Sequence, residues 1–171
     1  MALLSPEGVT FEFKVPVVVV GAGACGLVAA LAAHDAGQQA IILERDENPT
    51  GSTSLSAGLI PAPCTRLQKE AGIEDSPELF AADIVAKTHD HTPYDQALVA
   101  AREAGPMIDW LMEKHGVEFE LVTGFLYPGH SRMRMHGPKS RTGADLEQAL
   151  LAAVSNAGID LITGASVEDI Y

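Results

Sequence analysis

One stretch, Val17 to Arg45, limits what this chain can fold into more than any other. It opens with Val17-Val18-Val19-Val20, four β-branched residues in a row, the pattern of a strand buried on both faces in a parallel sheet. Gly21-Ala22-Gly23-Ala24-Cys25-Gly26 follows, and its glycines permit a tight turn and a close backbone approach to a pyrophosphate. The Ala-rich run Leu27 to Ala33 then predicts a helix whose first N–H groups face that anion. Gly37 stands where a helix-terminating glycine belongs, and Ala40 to Leu43 predicts a second short strand. Glu44 ends that strand about 20 residues past the glycines, where a carboxylate reaches a ribose hydroxyl, and Arg45 stands beside it. Three glycines alone are a weak signal. Strand, turn, helix, strand and acid in this order predict a Rossmann-type dinucleotide site.

The main competitor is a membrane span, because Val15 to Ala33 carries no charge. Pro16, the central glycines and the lack of a flanking basic cluster argue against it. The 171 residues suffice for a domain with a proper core. Their formal charge of -12 disfavours nucleic acid or an anionic membrane as partner. The opening residues lack the charged, apolar and small-residue regions of an export signal, and the two cysteines, Cys25 and Cys64, make no disulfide framework. The expected compartment is the reducing cytoplasm. Cys25 reads as a small residue that fits the turn rather than as a redox centre.

Taken in order, Thr10 to Lys14 alternates and fits an edge strand. The stretch 46–51 reads as a turn, and Ser52 to Ile60 as a short segment of small, hydroxyl-bearing residues. Residues 65–115 read as helical. Within them Ser76-Pro77-Glu78 spells N-cap, first-turn proline and acid, and that helix runs to Lys87. A second helix carries Tyr94, Leu98, Ala101, Ile108, Leu111 and Met112 on one face and stops at Gly116. Val117 to Val122 fits a short strand. Gly124 to Arg141 reads as a loop or loose hairpin, in which Arg132, Arg134, His136, Lys139 and Arg141 form either an anion site or an exposed charged loop. Thr142-Gly143-Ala144-Asp145 resembles a capping box ahead of a helix with Leu146, Ala149, Leu150, Ala153 and Val154 on its apolar face. Asn156-Ala157-Gly158 ends that helix, and Ile159 to Ile162 is another strand. His89-Asp90-His91 lacks the further ligands of a metal site, and no GxSxG elbow marks a hydrolase.

With this spacing laid out, the chain resembles the FAD-dependent oxidoreductases of the fumarate reductase/succinate dehydrogenase flavoprotein group. The family spacing GxGxxGxxxA, then a glycine, then an acid after the next strand, is met by Gly21, Gly23, Gly26, Ala30, Gly37 and Glu44. A second carrier is Gly51-Ser52-Thr53-Ser54-Leu55-Ser56-Ala57-Gly58-Leu59-Ile60, similar to the family segment whose backbone and hydroxyls contact the FAD pyrophosphate and flavin. Trp110-Leu111 before a glycine-led strand, and a His-containing loop before a helix and strand, extend the likeness along the chain. Only the first sixty residues are highly specific. The glycine pair usual near position 58 is here Gly58-Leu59.

The resemblance implies an α/β, Rossmann-like FAD-binding domain with a parallel sheet and a helical excursion, the N-terminal part of a longer flavoprotein. It reads as one domain over 1–171: a βαβ core and FAD segment at 15–64, an excursion and basic loop at 65–141, and a returning helix and strand at 142–171. The implied cofactor contacts are Gly21, Ala22, Gly23, Ala24, Cys25, Gly26, Glu44, Arg45, Gly51, Ser52, Thr53, Ser56, Ala57, Gly58 and, through its backbone to adenine, Val167. Members with covalent FAD carry a histidine where Ser52 stands, so the implied attachment is non-covalent. The implied reaction moves a hydride between flavin and a carbon next to a carbonyl or carboxylate, on a small carboxylate or enone substrate. The catalytic residues of the family's later segments have no counterpart here, and a C-terminal half or partner chain is expected to supply them. Two alternatives stay open: an NAD(P)-dependent dehydrogenase, which shares the glycines, and a non-catalytic FAD-binding subunit completed by a partner.

Overall fold

The computed structural model describes residues 2–171. The chain divides into two compact units, one made of the residues up to Ser56 together with Leu146–Tyr171, the other of Ala57–Asp145.

The first unit holds strand β1 (Ala2–Leu3), β2 (Val17–Val20), helix α1 (Ala24–Asp35) and β3 (Ala40–Leu43). Most of helix α5 (Gly143–Asn156), with β7 (Asp160–Ile162) and β8 (Asp169–Ile170), completes it. The order β2-β3-β7 is parallel throughout, with Val19 opposite Ile42 and Ile42 opposite Leu161. Helix α1 lies on the face that carries Val19 and Ile42, and buries Leu27, Ala30 and Leu31 completely. Gly37, at φ +77, follows the α1 cap residue Ala36, as the helix-stop reading requires. Leu146, Leu150, Ala153 and Val154 are buried along α5, while Ala149 is half-buried.

Two expectations in this unit are corrected. The valine run is not covered on both faces: Val18 and Val20 are 51% and 55% exposed, because α1 covers only the opposite side of the sheet. Residues 10–14 form no strand, and Phe13 is 86% exposed. Alternation marks a face but supplies no partner, and the pairing beside β3 starts only where Val17 N–H donates to Gln39 O. The chain start instead pairs through β1, parallel to β8.

The second unit contains β4 (Ile60–Pro61), α2 (Arg66–Glu70), α3 (Pro77–Lys87), α4 (Tyr94–His115), β5 (Glu120–Leu121) and β6 (Met135–Gly137). Ser76 caps α3 by accepting from Leu79 N–H, with Pro77 first in the helix. Gly116 ends α4 in the left-handed region at φ +67. Phe80 and Ala81 of α3 pack with Ala97 and Ala101 of α4. Tyr94 departs from the expected apolar face and is 43% exposed at the helix start. Glycine is required at position 105, where an added Cβ would stand 2.1 Å from Pro63 O.

The strand expected over Val117 to Val122 shortens to Glu120–Leu121. The stretch 124–141 is more ordered than a loop. It contains β6, which lies between β4 and β5, antiparallel to both. Thr142 Oγ1 accepts from Asp145 N–H at 3.3 Å, the cap expected at the start of α5. Among the described residues, no helix is long and apolar enough to cross a membrane.

Candidate functional site

The turn from β2 into α1 is built by backbone. Gly21 takes φ +99 and donates its N–H to Leu43 O at 2.8 Å, tying the turn to the end of β3. An added Cβ at Gly21 meets nothing within 4 Å, so its φ alone demands glycine. At Gly26 the demand is steric: a Cβ would lie 2.0 Å from Gly21 O and 3.1 Å from Val19 Cγ1. Gly26 is the point where helix and strand touch.

Gly23 is the cap residue of α1 and offers no side-chain acceptor, and the first turn carries no acid. The N–H groups of that turn have no intrahelical acceptors, and their positive end favours an anion. A Cβ on Gly23 would meet only Thr53 Oγ1, at 3.5 Å, so the turn is open there. The set fits a pyrophosphate: backbone donors at Gly23, Cys25 and Gly26, no acid within the first helical turn, and space that a side chain would fill.

Two side chains from outside the turn close on it. Glu44 Oε2 accepts from Ala22 N–H at 2.7 Å, and Oε1 accepts from Asp46 N–H at 3.0 Å. This fixes the carboxylate at the end of β3, beside the glycine turn. Thr53 Oγ1 accepts from Ala24 N–H, the first helical residue, at 3.0 Å. Residues 51–56 fold on themselves: Ser54 Oγ accepts from Gly51 N–H, Leu55 N–H donates to Gly51 O, and Ser56 Oγ donates to Thr53 O. That turn aims Thr53 inward and leaves Ser52 exposed.

The remaining candidates are placed as follows. Cys25 is exposed in the first turn of α1. Arg45 points outward and is bound to its neighbour Asp46 at 3.1 Å. Val167 lies beyond β7, which ends at Ile162, in a connection that belongs to no strand. Two residues earlier, Ala165 N–H donates to Glu44 O at 2.8 Å, a tie that no local pattern announces. Ala57 and Gly58 belong to the second unit, where Gly58 takes φ +63 and a Cβ would press on Thr142 O at 2.6 Å.

The basic run 132–141 divides: Arg132, Lys139 and Arg141 are exposed, as a charged loop would have them, whereas Arg134 and His136 are drawn inside. Arg134 is completely buried. Its Nε and Nη2 donate to Asp75 Oδ2 and Oδ1 at 2.8 Å, its Nη1 donates to Asp83 Oδ2, and its guanidinium carbon lies 4.7 Å from the Phe80 ring centre. Burial, the largest single influence, would push both carboxyls up, but the hydrogen bonds and charge of Arg134, together with the bonds from Gln68 and Ser76 to Asp75 and from Ser131 to Asp83, outweigh it and hold them below the usual carboxylate range. His136 is also completely buried, with Nε2 2.9 Å from Thr65 Oγ1, and burial pushes its pKa down. Burial does the same at His130, where the charge of Arg134 adds to it. Arg134, just before β6, and His136, within it, are two apart and both lie inside. Arg134 is met there by a pair of acids 59 and 51 residues away, and His136 by Thr65. Among the described residues, no three His, Cys, Asp or Glu side chains gather as a metal site.

Known proteins match this arrangement. The model of a family described as FAD binding domain matches residues 16–171. A urocanate reductase from Eggerthella lenta is 38% identical over 143 residues, which is 83% of this chain and 23% of that protein. An NADH:fumarate oxidoreductase from Klebsiella pneumoniae is 33% identical over 156 residues, 90% of this chain and 16% of that protein. The solved structure of the open conformation of a flavocytochrome c3 fumarate reductase superposes with a TM-score of 0.79 at 28% identity, covering 90% of this chain and 27% of that one. The chain thus spans about a quarter or less of these relatives. With its glycine turn, the acid at the end of β3 and its parallel sheet, the chain belongs to the FAD-binding domain family of fumarate reductase-like flavoproteins.

Proposed function

We propose that this chain is the FAD-binding portion of an oxidoreductase and holds the cofactor non-covalently. The observation that carries this is the uncapped, acid-free start of α1, with Gly23 bare and Glu44 and Thr53 hydrogen-bonded to the N–H groups of Ala22 and Ala24. In this reading the N–H groups of Gly23, Cys25 and Gly26 meet the pyrophosphate, those of Gly21, Ala22 and Ala24 being held by Leu43, Glu44 and Thr53, and the Glu44 carboxylate, already aimed by two backbone donors, receives the adenosine ribose hydroxyls. Thr53 accepts from Ala24 through one lone pair, so its own hydroxyl hydrogen is left to donate to a phosphate oxygen. The backbone near Val167 borders adenine. Ser52 offers a hydroxyl and no imidazole, which supports non-covalent attachment.

When bound, the flavin supplies hydride exchange with a carbon next to a carbonyl or carboxylate. The chain's own part is to bind and orient. The residues that move the proton belong to the further length that the relatives possess. Two free cysteines fit a reducing compartment such as the cytoplasm.

Alkylation of Cys25 tests the reading. Its thiol is exposed one residue from Gly26, whereas Cys64 donates to Asp75 O at 2.9 Å and burial pushes its pKa up. FAD is expected to slow maleimide labelling of Cys25 several-fold, NADH and NADPH to leave it unchanged, and Cys64 to stay slow throughout, as read by mass spectrometry. Equal rates with and without FAD, or equal protection by a nicotinamide dinucleotide, would overturn it.

A further inference from the structure

With Arg134 and His136 drawn inside, Arg132 stays exposed and lines a cavity of about 710 Å³. The cavity lies wholly within the second unit and includes none of the residues assigned to FAD. The guanidinium is held in place by the backbone: Nε donates to Glu74 O at 3.0 Å and Nη1 to Ser131 O at 2.8 Å. Nη2 makes no hydrogen bond among the described residues, so one edge of a fixed fork is left for a ligand. Glu74 also lines this cavity, and among the described residues neither it nor Arg132 takes part in an ion pair. Two opposite charges therefore share one cavity without satisfying each other.

The wall between them is apolar. Ile73, Met133, Phe125 and Leu126 line it, and the last two are 56% and 50% exposed. Phe125 is set edge-on against Tyr127, with ring centres 5.2 Å apart, so the exposed ring has a partner that holds its angle. The volume lies within the ordinary range for small-molecule sites, roughly 300–1,000 Å³.

We infer that this cavity binds a free α-amino acid with an apolar side chain. The carboxylate meets the open edge of Arg132, the ammonium meets Glu74, and the side chain lies on Phe125, Leu126 and Met133. A simple carboxylate leaves Glu74 facing like charge, and a simple amine leaves Arg132 doing so. A zwitterion complements both.

Calorimetric titration with L-phenylalanine tests this, with 3-phenylpropionate and phenethylamine as single-charge comparators. L-phenylalanine is expected to bind saturably, and each comparator about tenfold more weakly. Glu74→Gln keeps the side-chain size at an exposed position and is expected to lose about tenfold for the zwitterion, to weaken phenethylamine as well, and not to weaken 3-phenylpropionate. Arg132→Gln is expected to lose as much, and saturating FAD is expected to change nothing. No saturable binding overturns the inference. So does phenylpropionate binding equal to L-phenylalanine, full affinity in Glu74→Gln, or competition by FAD.

Discussion

Replacing Arg134 by Met lowers the thermal unfolding transition by roughly 10 °C at neutral pH, the effect of about 3–5 kcal/mol lost from a chain of this size. The reason is what the substitution leaves behind. Asp75 and Asp83 face the guanidinium with side chains 0% and 15% exposed, and among the described residues no second cation is paired with either. Methionine fills the space but leaves two largely buried carboxylates with only neutral donors, Gln68 Nε2 and Ser76 N–H at Asp75 and Ser131 N–H and Oγ at Asp83, which costs far more than the three bonds were worth in water.

The pH dependence separates this from simple loss of packing. In the wild type both carboxyls sit below their ordinary 3.8 when folded. Their contribution is therefore complete above that value and is lost as the pH falls beneath it. His130 and His136 act earlier. Each is held below its ordinary 6.5 when folded, so the unfolded chain takes the proton first and stability declines as the pH drops from 6.5. In Arg134→Met the two acids take protons instead of bearing unpaired charge. The gap between variant and wild type narrows as the pH falls, and adding Asp75→Asn and Asp83→Asn recovers stability at neutral pH. Circular dichroism melts between pH 3 and 8 on the two-state assumption read all of this; a constant gap across the range would show that charge is not the cause.

Gly26→Ala is the second large effect. Its Cβ would stand 2.0 Å from Gly21 O and 3.2 Å from Gly21 C, so the obstacle is backbone and cannot rotate away. Helix α1 must lift from β2, at a cost at or above the upper end of the usual 1–3 kcal/mol for overpacking, roughly 3 kcal/mol. The same shift displaces the turn that holds Gly21 and Ala22, so any ligand affinity falls with stability. A melt of Gly26→Ala that overlays the wild type would contradict the packing of α1 on Val19. Gly23→Ala behaves oppositely. Its φ of -73 suits alanine, and its nearest neighbour is Thr53 Oγ1 at an ordinary 3.5 Å, so its melt should match the wild type.

These contrasts show what was legible in the sequence. Gly21, Gly37, Gly116 and Ser76 act through their own backbone or a neighbour three residues off, and Gly26 through Gly21 and Val19, five and seven residues before it, so their roles stand in the local pattern. Glu44 was readable because its distance from the glycines is set by one helix and one strand. Val18 and Val20 were not, since four valines look alike whether one face of a sheet is covered or two. Arg134 and His136 were not either: a run of cations reads as surface until Asp75, Asp83 and Thr65 arrive from distant positions to neutralise or bond them. Arg45 follows Glu44 directly, and its guanidinium is paired with Asp46 at the surface, a bond between neighbours that the glycine pattern does not announce.

The measurement that bears most directly on the central claim is equilibrium uptake of FAD by the wild type and by Gly23→Ala, followed through the visible flavin bands. One FAD per wild-type chain, with Gly23→Ala equally folded but at least about tenfold weaker, is the expected result, because a methyl group at position 23 fills the space the pyrophosphate needs. A folded wild-type chain that takes up no FAD, or a Gly23→Ala chain that binds as tightly as the wild type, would contradict it.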